Sequence, residues 1–291
     1  MSTRTAARPV EGDRLVQPRR RRGRRAPLLV FGALVVAVVA SSCTITVDAI
    51  GDGGPSSGNW TTAFGTRIAA DNPAYFLWLG DVRNSGTAAE WTLYHNVYGR
   101  FNAITIPTPG NHDWPNHASG YDPVFKSDPN ARTARPWCNR IMTGNGWALI
   151  SVNTYTKSSC ASYASWMAAP GKRKIVLTHE PRYSGATGHG SDAGQQDLWG
   201  PMVGHVFALV SGHDHDGEVI QPPGQGGLLQ IVAGCAGAQY FSVSPIAGEL
   251  FHTTSAANCT YARLSLGDTS AKVEMVTSKG TVAYSKSIAV S

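Results

Sequence analysis

The feature that most narrows this chain's fold is a repeated pattern. An apolar run of strand length stops abruptly at a glycine and a metal-ligating side chain. It is clearest at Val206-Phe207-Ala208-Leu209-Val210, which reads as a buried strand and is followed by Gly212-His213-Asp214-His215. Gly212 is expected to let the chain turn sharply as it leaves the sheet. Two imidazoles two residues apart on such a turn can point into one site, although His-x-His alone often arises by chance. Four more clusters share the strand-then-turn setting: Gly51-Asp52, Gly80-Asp81, Gly110-Asn111-His112-Asp113 and His179. Singly, an Asp at a strand end is a turn residue and a lone His a structural one. Jointly, Asp52, Asp81, Asn111, His179, His213 and His215 form a carboxylate, amide and imidazole set suited to two divalent cations.

Taken in order, the apolar pattern alternates between strand and helix. Strands are expected at Ile45–Ile50, Ala74–Leu79 and Ala103–Ile106, with helices over Trp60–Asp71, N-capped by Asn59, and over Ala88–Phe101. Asp48, flanked by apolar residues, is expected on a partly solvated face. Trp91, Tyr94 and Tyr98 share one face of the second helix and are read as core. Residues 114–137 read as a long polar loop, a lid or site wall. Strands at Asn139–Met142 and Trp147–Val152, a helix at Ala161–Ala168 and a strand at Lys174–Leu177 follow. Beyond Gly212 come hairpins: Glu218–Gln221, Leu228–Val232, Tyr261–Leu266, Lys272–Val276 and Val282–Ile288. Alternation followed by strand-rich sequence predicts an α/β (α+β) fold of two sheets packed face to face with helices outside. The ligands would sit at strand ends, where open α/β sheets place them.

The formal net charge of +6 belongs to the N-terminus. Residues 1–25 hold nine arginines against Glu11 and Asp13, leaving 16 basic and 17 acidic groups for the rest. The folded part therefore carries no nucleic-acid footprint. Residues 1–25 are expected to be a basic, disordered cytoplasmic tail, with nucleic-acid binding by that tail as the alternative. The 13 apolar residues Leu28–Ala40 follow it and match a secretory signal. Residues 26–43 are thus a signal peptide or, at 18 residues, a membrane anchor. Arg24-Arg25 resembles a twin-arginine signal, and Ala40-Ser41-Ser42-Cys43 a degenerate lipobox. A secreted or extracytoplasmic, membrane-anchored protein is expected, with residues 44–291 as its folded domain. Export makes disulfides expected. Cys138–Cys160, which flank one strand pair, are the first choice and Cys235–Cys259 the second, with free buried thiols as the alternative; Cys43 is left over.

The order GD…GD…GNHD…H…GHDH resembles the calcineurin-like metallophosphoesterase superfamily. "TPGNHDW" at 108–114, "GSD" at 190–192 and "LVSGHDH" resemble its purple-acid-phosphatase-like bacterial branch. The resemblance covers roughly residues 45–235. It implies a four-layer αββα sandwich of two mixed β-sheets and a phosphate ester substrate. It also implies two divalent or trivalent metal ions (Fe, Mn or Zn) that activate a hydroxide for in-line attack. Asp52 and His215 would bind the first metal and Asp81 would bridge. Asn111, His179 and His213 would bind the second. His112 would contact phosphate and protonate the leaving oxygen, oriented by Asp113. Two positions depart from the pattern. Asp52 is followed by Gly53-Gly54 instead of x-His, and Asn84 stands where purple acid phosphatases carry a tyrosine ligand. Asn84 or water would then complete the first site, and no purple iron–tyrosinate centre is expected. Arg182, His189 and Asp214 lie near ligands in sequence and are weaker substrate-contact candidates. The implied protein is a monomer that reaches membrane only through its N-terminal segment. The alternative is a catalytically silent metal-binding or interaction domain at the cell surface.

Overall fold

In the computed structural model, which describes residues 43–53, 59–125, 138–156 and 162–290, every expected strand forms. The first sheet has the order β13-β12-β11-β1-β2-β3. Its members are β1 (Ile45–Ile50), β2 (Tyr75–Trp78), β3 (Thr105–Pro107), β11 (Thr260–Leu266), β12 (Ser270–Thr277) and β13 (Val282–Ala289). β1, β2 and β3 run parallel, and β11, β12 and β13 add antiparallel strands on the other side. The second sheet has the order β10-β8-β9-β7-β6-β5-β4. Its members are β4 (Cys138–Met142), β5 (Ala148–Val152), β6 (Lys174–Leu177), β7 (Ala208–Ser211), β8 (Gly217–Ile220), β9 (Leu229–Ala233) and β10 (Glu249–His252). β5, β6, β7 and β9 are parallel, and the rest pair antiparallel.

Side-chain alternation explains the layering. Val47, Ala49, Leu77 and Leu79 point inward and meet Leu149, Ile175, Leu177, Val210 and Ile231 of the second sheet in one buried cluster. Their neighbours Ile50, Phe76 and Trp78 point outward and pack on the helices α1 (Asn59–Asp71) and α2 (Ala88–Val97). On the far side Ile150, Val176 and Leu209 pack on α4 (Tyr163–Ala168) and α5 (Gln196–Trp199). The result is the expected αββα sandwich. The expected core aromatics Trp91, Tyr94 and Tyr98 are all buried.

Three expectations change. Asp48 is not solvated: it is 0% exposed, because β1 has helix α1 over its outer face. The segment after Trp114 is not irregular throughout. It forms a 3-10 turn, Trp114–Asn116, and the short helix α3 (Tyr121–Phe125), whose Tyr121 and Phe125 bury against Trp91; residues 126–137 lie outside the described part. Ala103 and Ile104 belong to a 3-10 segment, Gly99–Ile104, and the strand starts at Thr105. Cys235 and Cys259 form a disulfide. Cys138 is also disulfide-bonded, whereas its expected partner Cys160 lies outside the described residues, as do the basic tail and the apolar segment. Among the described residues, no helix is long and apolar enough to cross a membrane.

Candidate metal centre

The loops after β1, β2, β3, β6 and β7 converge, because those strands lie side by side in the two sheets with their ends at one rim. Asp52, Asp81 and His213 all adopt left-handed backbone, with φ of 64°, 50° and 68°. Such conformations are uncommon outside glycine and gather at functional sites. Gly212 is therefore not the residue that makes the left-handed turn; His213 is. What Gly212 supplies is room, since a Cβ there would collide with Oδ2 of Asp52. Gly110 does the same for Oδ1 of Asp81.

Asp52, Asp81 and His179 offer ligand atoms that all lie within 4.8 Å of one another, and all three are buried. Around His179 the acceptors crowd. Its Nε2 lies 3.0 Å from Oδ1 of Asn111, 3.2 Å from Nδ1 of His213 and 3.2 Å from Oδ2 of Asp81. Nδ1 of His213 is also 3.1 Å from Oδ1 of Asn111. Nδ1 of His179 donates to the Leu79 carbonyl at 2.8 Å, so in the neutral ring Nε2 carries the lone pair. Four acceptor atoms thus face one point, an arrangement that calls for a cation.

A second such point adjoins it. Nδ1 of His215 donates to the Gln239 carbonyl at 2.7 Å, leaving Nε2 as an acceptor 3.8 Å from Oδ1 of Asp52. That Oδ1 is buried and has no hydrogen-bond partner among the described residues, while Oδ2 accepts from the His213 N–H at 2.8 Å. An orphaned carboxylate oxygen facing an imidazole lone pair fits a metal held between them.

The electrostatics agree. Burial, followed by the neighbouring imidazoles of His179 and His189, pushes His213 down to about 3, so it stays neutral and able to ligate. Burial also lowers His215. Burial and then the Asp81 charge drive Asp52 well above the usual carboxylate range, although His179 opposes them. Burial works against a charged His179, but Asp81 and then Asp52 outweigh it and hold the imidazole well above its ordinary value. In the absence of a cation, a proton on His179 is the charge that this cluster recruits.

Exposed His112 stands beside the centre. Its backbone N–H donates to Oδ1 of Asp81 at 2.9 Å, and its Nε2 lies 3.9 Å from Oδ2 of Asp81. Nδ1 donates to the carbonyl of Asn84 at 2.5 Å. Asp113, expected to orient His112, instead accepts from the backbone N–H groups of Val82 and Gly110 at 2.9 and 3.1 Å. It therefore ties the Asn111–Asp113 turn to the Asp81 loop and is fully buried, out of substrate's reach. Asn84 is exposed, and its recorded contact with the site is the carbonyl that holds His112. A capping box at the start of α2 anchors this stretch. Glu90 accepts from the N–H groups of Ser85 and Thr87, and Thr87 accepts from the Glu90 N–H.

The weaker candidates separate. His189 stacks on His213 at 4.1 Å and meets His215 edge-on at 6.3 Å, so it belongs over the centre. Asp214 holds the His189 loop by accepting from the Gly190 N–H at 3.1 Å. Arg182 bonds Gln196 and lies over the Tyr183 ring. Glu180 escaped the sequence reading. It follows His179 directly and accepts hydrogen bonds from Thr154 and Tyr155.

The family model of the calcineurin-like phosphoesterases matches residues 45–217, more than half of the chain. The chain belongs to that family. The candidate metal ligands of this calcineurin-like phosphoesterase lie within the matched span, and its last strands lie beyond it. No curated protein sequence matches. Among solved structures, purple acid phosphatase PPD1 from yellow lupin (Lupinus luteus) seeds superposes with a TM-score of 0.66 at 15% identity, over 85% of this chain and 54% of its own. This chain thus spans about half the lupin protein's length. GAP50, the anchor in the inner membrane complex of Plasmodium, superposes with a TM-score of 0.64 at 15% identity, over 86% of this chain and 90% of its own. At that identity both are likenesses of fold.

Proposed function

We propose that this protein is an exported phosphoesterase that hydrolyses phosphate monoesters or diesters at a binuclear metal centre. One observation carries the reading: acceptor atoms of Asp81, Asn111, His179 and His213 crowd one point beside the orphaned Asp52 oxygen. Asn111, His179 and His213 would hold one cation, Asp52 and His215 the other, with Asp81 bridging. The mixed oxygen and nitrogen donors suit Fe, Mn or Zn. Two such ions, when bound, polarise the phosphoryl oxygen and supply hydroxide at neutral pH.

The chain's own groups do the rest. The Asn84 carbonyl fixes Nδ1 of His112, so the ring presents Nε2 to the incoming ester and, when protonated there, hands that proton to the leaving oxygen. His189, stacked on His213, contacts the phosphoryl group from above. Export rests on the arginine-rich flank and apolar run of residues 1–40.

A second reading, a surface anchor or interaction domain without turnover, draws on the sparse donor set around Asp52 and His215. It also draws on the fold shared with the Plasmodium protein described as an anchor. Metal-stripped protein reloaded with Mn, Zn or Fe and assayed on phosphate mono- and diesters separates the two. Turnover restored by metal supports the hydrolase; inertness with every ion leaves the silent domain.

A further inference from the structure

Beside the metal centre stand three aromatic rings in nearly parallel array. Trp114 stacks on His117 with centroids 4.1 Å apart and planes 11° apart, and on Tyr155 at 6.1 Å and 13°. The setting contrasts with the buried aromatic group of α2. There Trp91 meets Tyr94, Tyr121 and Phe125 at 64°, 79° and 89°, edges filling faces as close packing favours. Trp114, His117 and Tyr155 are each only half-buried, so the array is partly accessible from solvent.

The slab is held in place. Trp114 follows Asp113 in the turn that carries Asn111 and His112, and its N–H donates to the Gly110 carbonyl at 3.0 Å. His117 is fixed by Asp122 at 3.1 Å through Nδ1. The Tyr155 hydroxyl donates to Glu180, the residue after His179. None of the three rings brings a fixed positive charge, and His117 already has an acidic partner. The surface therefore suits a neutral flat ring better than a further phosphate.

We propose that Trp114, His117 and Tyr155 form a leaving-group subsite that takes a planar aromatic ring, such as the base of a nucleoside monophosphate, by stacking. This deepens the phosphoesterase reading and rests on it. A wall that merely shields His179 would show no preference for a ring.

Adenosine 5′-monophosphate and ribose 5-phosphate provide the test, because they share the same leaving oxygen and differ only in the base. Stacking of one base predicts kcat/KM roughly 10- to 100-fold higher for the nucleotide. Trp114→Leu should collapse that ratio toward one, and Trp114→Phe, which keeps a flat ring, should restore much of it. A structural role would depress both substrates alike and leave the ratio unchanged. Equal kcat/KM in an active wild-type protein overturns the subsite and leaves the hydrolase standing. If no ester is turned over with any metal, the hydrolase reading fails. The subsite is then read by calorimetry of the metal-loaded protein with non-hydrolysable 5′-phosphonates of adenosine and ribose. Tighter binding of the adenosine compound, lost in Trp114→Leu, supports the subsite, and equal binding overturns it.

Discussion

At the scale of single residues, the centre depends on which atom of each side chain is already committed. The carbonyls of Leu79, Gln239 and Asn84 each take one imidazole N–H, leaving the other nitrogen of His179, His215 and His112 for chemistry. In the proposed centre Asp81 bridges both cations, so Asp81→Asn should lose activity and lower the metal content measured by elemental analysis, since a neutral amide bridges two cations poorly. A variant that keeps full metal would remove Asp81 from the bridge. His112 donates no ligand to the crowded point, so His112→Ala should keep its metals. It should slow turnover by roughly 10²–10⁴-fold on esters with poor leaving groups and much less on p-nitrophenyl esters, which need no proton. An equal loss on both would take His112 out of the acid role. These positions are legible in sequence because each follows an apolar strand at a glycine or threonine. What Asn84 and Asp113 hold is not legible in sequence, because it is the Asn84 carbonyl that accepts from His112 and two backbone N–H groups that Asp113 accepts from.

At the scale of elements, strand ends bring loops within hard contact. Gly110→Ala places a methyl group against the Asp81 carboxylate. The expected result is a folded protein with reduced metal content and lower thermal stability, read by elemental analysis and a melting curve. Unchanged metal would mean that the loops can separate. Strand β1 offers a pH prediction. Asp48 is paired in register with Arg263, yet Arg263 is engaged by Asp71 and Glu274. Burial first, then the Asp71 charge, raise the Asp48 carboxyl to about 8 from its ordinary 3.8. The folded state therefore holds a proton that the unfolded chain has released between those values. That contribution is full below about pH 4 and is lost as pH climbs through 8. Asp48→Asn should flatten the loss of stability between pH 5 and pH 9 in denaturant titrations, raising the midpoint most at the alkaline end. An identical pH profile would show that Asp48 ionises freely. Alternation along β1 was readable, but which face a helix covers was not, and so Asp48 was expected on the wetter side.

At the scale of the whole molecule, both sheets contribute candidate ligands, Asp52, Asp81 and Asn111 from one and His179, His213 and His215 from the other. A cation bound across them would link the two halves of the sandwich and bind the folded state alone. Chelation should therefore lower Tm, and saturating Mn or Zn should raise it in proportion to the logarithm of metal concentration. A Tm indifferent to chelator and metal would argue against cations spanning the sheets.

The sequence by itself determined two sheets packed face to face with helices outside, because strand–helix alternation gives way to strand-rich sequence, and its resemblance to the family implied that both sheets are mixed. It also singled out the candidate ligand positions, because carboxylate, amide and imidazole donors recur at strand ends. Only the tertiary structure decided which nitrogen of each histidine is free and that Gly212 makes room instead of turning. It also decided that Asp113 braces backbone and that Trp114 stacks with His117 and Tyr155. Those outcomes turn on contacts such as His179 with Leu79, Gly212 with Asp52 and Trp114 with Tyr155, made once the sheets pack, and no local pattern in the chain encodes them.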